Sequence, residues 1–529
     1  MKYLISLSFL LIVLLGCQAA PTTALPTLQP TAVAQVTVIT VTSVPPTPIL
    51  VPTATPTATA VPPTATPLPP ITIAVAPQWQ TAVAAILPTL TESSDRTWEL
   101  LLSEDPAAEL AANQAQIALT SDGGGALVYQ EPLVIAVPFS TDWHFITQTD
   151  AEAIVANGHQ LARALPWHEM TPDWRALRVN GLPPDDPAYP LQNRLLLQAA
   201  PGLDTAVAQL QTHLQTTFDT GPVIHLATVG DIMLDRGPGI VLQQGDLAYP
   251  FAKVAPLLQM ADITVGNLES ALGDVGEPMP KAYPFRAPPQ AAEALALAGF
   301  DIVSLANNHG MDYGTEALLQ GIDLLKAAGV QPIGGGANAA EARAPYITEV
   351  NGLTMAFLGY VNVPVEASSS FDVRTWDATD STAGIAWGEP ERITEDVTAV
   401  RGAADLVVVV LHSAFEYLDP PSEPQMILAR AAVDAGADLV IGHHAHVLQG
   451  VEFYGDGVII YGLGNFAFEI DGDPSTGIMN VWLDADGVRE LELIPAIIQF
   501  GGQPRLADEW EAAVILERVY RLSRSLNGR

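Results

Sequence analysis

Five apolar stretches in the second half of the chain run straight into polar clusters: HLATVGD ending at Asp231, ITVGNLE at Glu269, DIVSLANNH at His309, LVVVVLH at His412 and DLVIGHHAH at His446. Short runs rich in Val, Ile and Leu read as buried strands. Helical spacing lies between them, near VAPLLQM, in PQAAEALALAG and in GTEALLQGIDLLKAAG. The alternation predicts βαβ units and a largely parallel sheet within residues 221–508. Later elements (GLTMAFLGYV, VVVVLH, LVIGHH, GVIIYGLG, GIMNVWLD) are richer in strand, so a β-sandwich flanked by helices fits better than a simple doubly wound sheet. Residues 509–529 read as a C-terminal helix. In α/β folds, side chains at the carboxyl ends of parallel strands converge on one crevice. Five such endings point to one site.

A smaller α/β domain is expected over residues 71–220. ITIAVAP and EPLVIAVPFS alternate or cluster apolar residues like strands, and TDAEAIVANGH begins with a capping residue before a helical stretch. With IALTSDGGGALVYQEPLVIAVPF and the tryptophans Trp143 and Trp167, the order of elements resembles a shortened periplasmic solute-binding-protein domain. Gly123-Gly124-Gly125 reads as a flexible turn, because no Lys-Ser/Thr follows to complete a phosphate cradle.

The N-terminus changes the picture of where these domains work. Lys2, the mostly apolar run Leu4–Leu15 and then Gly16-Cys17 have the charged start and short apolar middle of a secretory signal, too short to span a bilayer comfortably. Leu14-Leu15-Gly16-Cys17 resembles the bacterial lipobox, which implies a signal peptide over 1–17 and lipidation at Cys17. The Pro/Thr-rich stretch over 18–70 favours polyproline II, a stiff tether reaching roughly 150 Å if fully extended. The expected location is extracytoplasmic, held to the membrane through the lipid anchor only.

Composition removes other partners. The chain has 529 residues, more than one hydrophobic core usually organises. It carries 22 basic against 58 acidic residues, a formal charge of −36, which argues against nucleic acid and anionic lipid surfaces. One cysteine leaves no intramolecular disulfide.

Each polar ending has a bland reading beside a chemical one. Asp231 could cap the GPGI stretch, and Glu269 could solvate a loop. Asn307-Asn308-His309 makes a poor core and a poor simple turn. Of only ten histidines, His443, His444 and His446 fall within four residues, and His412 ends another strand. Imidazole suits zinc, manganese or iron, and Asp231, Glu269 and Asn308 complete a mixed nitrogen and oxygen set. The candidates exceed one tetrahedral site, so two divalent ions sharing a carboxylate is the economical reading.

In order and spacing, GDIML, GNLES, LANNHGMDYG, LHSAFEY, GHHAH and YGLGNF resemble the CapA family of capsule and poly-gamma-glutamate biosynthesis proteins, whose domain is similar to calcineurin-like metallophosphoesterases. The resemblance covers about residues 222–505, including the closing GGQPRLA. It implies Asp231 and His446 on a first metal, Glu269 as the bridging carboxylate, and Asn308, His412 and His444 on a second. It also implies His309 as the proton donor near the leaving group. His443, Asp235, Asn307 and Asn267 are further candidates as ligands or supports. Such a protein would act on an anionic cell-surface polymer or its precursor, beside a membrane-bound polymer synthase.

Two departures qualify the pattern. Metallophosphoesterases usually carry Asp-x-His in the first motif, where this chain has Met233, leaving the first metal site weak, substituted by His443 or Asp235, or empty. His412 is followed by Ser413-Ala414-Phe415, although Glu416 and Tyr417 are retained as an expected pocket wall. Arg236, Lys281 and Arg286 stand near the motifs and could clamp carboxylate or phosphate, forming the basic funnel an anionic polymer would need. Three readings stay open: polymer biosynthesis or processing by metal-dependent hydrolysis, a phosphoesterase on another substrate, and a non-catalytic polymer-binding scaffold.

Overall fold

The computed structural model describes residues 68–528, apart from Asp95, Ala367, Ile470 and Asp471. The signal-like segment, Cys17 and the Pro/Thr-rich stretch up to residue 67 lie outside the described residues. No helix among those described is long and apolar enough to cross a membrane.

Two sheets face each other in the second part of the chain. One runs in the order Gln331–Ile333, Ile302–Ser304, Ile263–Leu268, Ile224–Ile232, Ser475–Asp484, Gly487–Ile498, Pro504–Leu506. Its first four strands are parallel, and the remaining pairings are antiparallel. The other runs Tyr346–Val350, Leu353–Asn362, Leu406–Ser413, Leu439–His443, Gly457–Ile460, Val451–Tyr454, with a parallel centre and antiparallel edges. Alternation along the strands divides the apolar residues between two faces. Leu226, Val265 and Ile302 meet Phe357, Val408 and Ile441 in a core between the sheets. Outward residues pack under helices: Gln290–Ala298 and Gly314–Ala328 on one side, Pro390–Arg401 and Glu423–Asp434 on the other. The α/β expectation holds, with the helices on the outer faces of paired sheets.

Residues 71–199 form their own seven-stranded sheet, parallel among Ile71–Val75, Trp98–Leu102 and Ile117–Thr120 and antiparallel beyond. Helices Gln80–Glu92 and Asp204–Thr217 cover one core around Ile73, Leu119 and Leu195. The helix expected from TDAEAIVANGH spans Gln148–Asn157, but its cap is Thr147, whose hydroxyl accepts from Asp150 N; the cap precedes the expected stretch.

This part is fastened to the sandwich by buried and half-buried polar contacts. Trp167 Nε1 donates to Glu490 Oε2 at 2.8 Å, and Ala176 N donates to Glu490 Oε1 at 2.8 Å. Arg178 Nε donates to Glu492 at 2.6 Å, and Trp482 Nε1 to Asp185 at 2.9 Å.

The helix Glu509–Leu526 starts with a capping box between Asp508 and Glu511. Its apolar stripe of Ile515, Leu516, Val519 and Tyr520 joins the core between the sheets. Tyr520 also packs on Phe139 of the preceding part, and Arg524 donates to Ser140 O at 2.9 Å.

Candidate metal centre

The predicted endings do converge. Asp231 sits at the end of Ile224–Ile232, Glu269 directly follows Ile263–Leu268, Asn307-Asn308-His309 follow Ile302–Ser304, His412 lies in Leu406–Ser413, and His443 closes Leu439–His443. Register sets Asp231 beside Asn267 in one sheet and His412 beside His443 in the other. Asp231 also bridges to Asn465 of the YGLGNF segment. That approach requires glycine, since a Cβ on Gly230 would lie 2.2 Å from Gly464 O.

Asp231 is fully enclosed by donors. Its Oδ1 accepts from Asn267 Nδ2 at 2.9 Å and meets His443 Nδ1 at 2.9 Å. Its Oδ2 accepts from His444 N at 3.2 Å and lies 3.2 Å from His446 Nδ1. Glu269 is the opposite case. It is buried, and neither carboxylate oxygen has a hydrogen bond. His412 Nε2 lies 3.5 Å from Glu269 Oε1, and His446 Nε2 lies 3.7 Å from it. A buried carboxylate without a donor is costly, and a cation removes the cost.

Two groups of ligand atoms lie within 4.8 Å of one another: Glu269, His444 and His446, and Asp231, Glu269 and His412. Glu269 belongs to both, as a bridging carboxylate would. Asn308 Oδ1 is 2.7 Å from His412 Nε2, within the same cluster. The residues present therefore fit a pair of divalent ions.

Electrostatics separate the roles. Burial pushes the Glu269 carboxyl well above its ordinary range, with Asp231 and Glu416 adding to the effect against His446 and Lys281. Burial acts the same way on Asp231, but hydrogen bonds from His443 and His446 overcome it and hold that carboxyl well below the usual range. Burial, helped by His444, keeps His412 well below its ordinary value; burial and His446 lower His444 to about 3. Both therefore offer the neutral lone pairs that metal binding needs. His446 is lowered by burial but raised more by Glu269 and Asp231, to about 10.

Several candidates act as supports. Asn267 contacts both Asp231 and His412, and Asn307 donates to Asn267 Oδ1 at 3.0 Å and to Leu268 O at 2.8 Å. Asp235 caps the helix Arg236–Gln243 and accepts from Arg286 N at 3.0 Å, so its carboxylate is occupied away from the donors. Met233 is buried against Phe285 and Phe468, its sulfur accepting from Asp235 N at 3.3 Å. His443 meets Asp231 through Nδ1, while its Nε2, like Nδ1 of His444, is buried without a hydrogen bond.

His309 Nδ1 meets Asp312 Oδ2 at 2.6 Å, leaving Nε2 for the cavity that His309 lines. Lys281 departs from its expected place. Its ammonium is buried behind this wall, bonded to Asp312, Asn308 O and, at 2.5 Å, Glu366, so it is not offered to a ligand. Arg286 stacks on Tyr313 at 4.2 Å and does not line the cavity either. The basic funnel is thus reduced to Arg236, which lines the cavity with its guanidinium 4.9 Å over the Phe285 ring, because acidic neighbours claim Lys281 and Arg286 stands away from the cavity.

The cavity above the donors measures about 430 Å³. Arg236, Glu416 and Tyr417 line it, along with Asn308 and His446. Sequence reasoning missed Asp312, Glu366 and Asn465. Asp312 lies in the LANNHGMDYG motif and Asn465, which meets His446 Nδ1 at 2.9 Å, lies in YGLGNF; Glu366 has no motif to flag it. Arg236, Ala414, Tyr417, His444 and His446 all have positive φ, which L-residues adopt at a cost and which aims the two histidine rings inward from a tight loop.

Residues 225–470 match the bacterial capsule synthesis protein family PGA_cap. The chain is 32% identical over 327 residues to the capsule biosynthesis protein CapA of Bacillus anthracis, covering 59% of this chain and 77% of that protein. It is 31% identical over 250 residues to the PGA biosynthesis protein CapA of Bacillus subtilis, covering 47% and 64%. A probable polyglutamine synthesis accessory protein of Mycobacterium tuberculosis is 28% identical over 255 residues, covering 45% and 65%. With donors converging as its motifs imply, the chain belongs to the CapA family of capsule and poly-gamma-glutamate biosynthesis proteins.

Proposed function

We propose that this chain is an extracytoplasmic, lipid-anchored protein that uses metal-dependent hydrolysis in the biosynthesis or processing of an anionic cell-surface polymer, alongside a membrane-bound polymer synthase. Glu269 carries the reading: a buried carboxylate with no hydrogen bond, between His412 and His446, is a cation site by its chemistry. Asp231, Glu269, Asn308, His412, His444 and His446 would hold two ions, manganese, zinc or iron. Bound there, divalent ions would supply an activated water and polarise the bond to be cleaved. The chain's own work is positional. Asp231 is fixed by Asn267 and His443, Asp312 fixes the His309 ring, and His309 Nε2 delivers a proton to the leaving atom.

Elemental analysis of the purified full chain, with Asp231→Ala and His444→Ala beside it, tests this. About two transition-metal ions per chain, fewer in both variants, is the expected result. No bound metal after loading with manganese, zinc and iron in turn would remove the hydrolytic mechanism. The second reading, a polymer-binding scaffold, is favoured by Met233, which packs as an apolar residue where the metallophosphoesterase pattern places a ligand.

A further inference from the structure

Two charged groups on the cavity wall lack an ion-pair partner, although the Arg236 guanidinium lies 4.9 Å over the Phe285 ring. Arg236 and Glu416 both line the cavity, both are exposed, and among the described residues neither is in an ion pair. The other acids there are committed. Glu366 holds Lys281, Asp473 holds Arg518, and Glu469 accepts from Gly237 N at 2.6 Å. Beneath them lies the unbonded carboxylate of Glu269, fully buried, 3.7 Å from His446 of the cavity floor. Among the described residues Arg236 is the only lysine or arginine that lines the cavity. A ligand carrying one ammonium and one carboxylate would give Glu416 and Arg236 the ion pairs that neither has.

We propose that the cavity binds the zwitterionic amino-terminal end of an amide-linked amino-acid polymer, Glu416 taking the ammonium and Arg236 the carboxylate. This rests on the hydrolytic reading for its chemistry. In a γ-linked chain the terminal residue has a free α-ammonium and a free α-carboxylate, and its side-chain carbonyl forms the first amide. Held by its charged end, the chain presents that carbonyl to the metal centre. Water adds its oxygen to the carbonyl carbon, the C–N bond breaks, and the leaving nitrogen takes a proton from His309, which is made good by the proton the water releases. The products are a free amino acid and a chain shorter by one residue. Tyr417, also on the wall and with its ring 6.0 Å from that of His446, stands beside Glu416 as an aromatic face for the ammonium.

The test is calorimetric binding of short γ-linked oligoglutamate to the metal-treated full chain, comparing free and N-acetylated amino termini. The free-ended oligomer is expected to bind at least about tenfold more tightly, and Glu416→Gln to shrink that preference to about twofold, the loss of one charge-assisted contact. Arg236→Met is expected to weaken both oligomers alike. Equal binding of the two, or a preference that survives Glu416→Gln, overturns the proposal. Metal content measured on the same samples separates the two readings. Bound metal with no preference sinks end recognition alone, whereas a preference without bound metal upholds end recognition and sinks hydrolysis.

Discussion

Asn308 Oδ1 and His412 Nε2 meet at 2.7 Å, although the first residue follows a strand of one sheet and the second lies within a strand of the other. The donor cluster is therefore a contact between sheets. Ion binding should stabilise the whole sandwich, by about 2.7 kcal/mol at a free metal concentration of a hundred times Kd. Thermal unfolding with and without manganese or zinc should show a metal-dependent rise in Tm, abolished by His412→Ala. A rise unchanged in that variant would place the metal elsewhere.

Glu269 should behave oppositely in the metal-free and metal-loaded states. Glu269→Gln removes a buried carboxylate that has no donor, so the metal-free protein should gain about 1 kcal/mol. The same change removes the shared ligand, and the metal-induced rise in Tm should vanish. A metal-free protein made less stable by Glu269→Gln would show that the carboxylate is satisfied without an ion.

Lys281 holds two carboxylates in the wall behind His309. Lys281→Met should cost about 3–5 kcal/mol, because Asp312 and Glu366 are left buried without their cation. Adding Glu366→Gln should recover part of that loss, a coupling that denaturant unfolding of the single and double variants would measure. Strict additivity would mean the pair is not coupled.

Glu490 should give stability a pH dependence of its own. Burial raises its carboxyl from 4.5 to about 7, against the opposing bonds from Trp167 and Ala176. Between those values the folded state keeps a proton that the unfolded chain has lost, so stability falls as pH rises, by about 3 kcal/mol across the window. Glu490→Gln should flatten that slope. Trp167 Nε1 and Ala176 N bond different oxygens of Glu490, and in the variant an amide NH2 would face one of these donors, so it should also lose about 1 kcal/mol at low pH. Urea midpoints at pH 4.5, 6 and 7.5 would check both effects.

The strands ending at Asp231, Glu269 and His412 were legible because continuous apolar runs have few other uses, and a polar residue at the end of such a run needs a reason. The supports were not legible in the same way. Lys281 looked like a loop cation, but Asp312 and Glu366 come from 31 and 85 residues away in the chain, and only folding reveals that they consume its charge. Asp235 read as a substitute ligand; the helix it caps decides where its oxygens point. The fastening of residues 71–220 to the sandwich was equally hidden, since Glu490 sits in a strand whose pattern says nothing about Trp167.

The helix Glu509–Leu526 covers the gap between the sheets with Ile515, Leu516, Val519 and Tyr520, although every donor from Asp231 to His446 precedes it in the chain. Ligands and seal are thus separate in sequence and joined only by the fold. Without that helix the chain would keep all its donors and lose the apolar cover over Phe139 along one side of the sandwich.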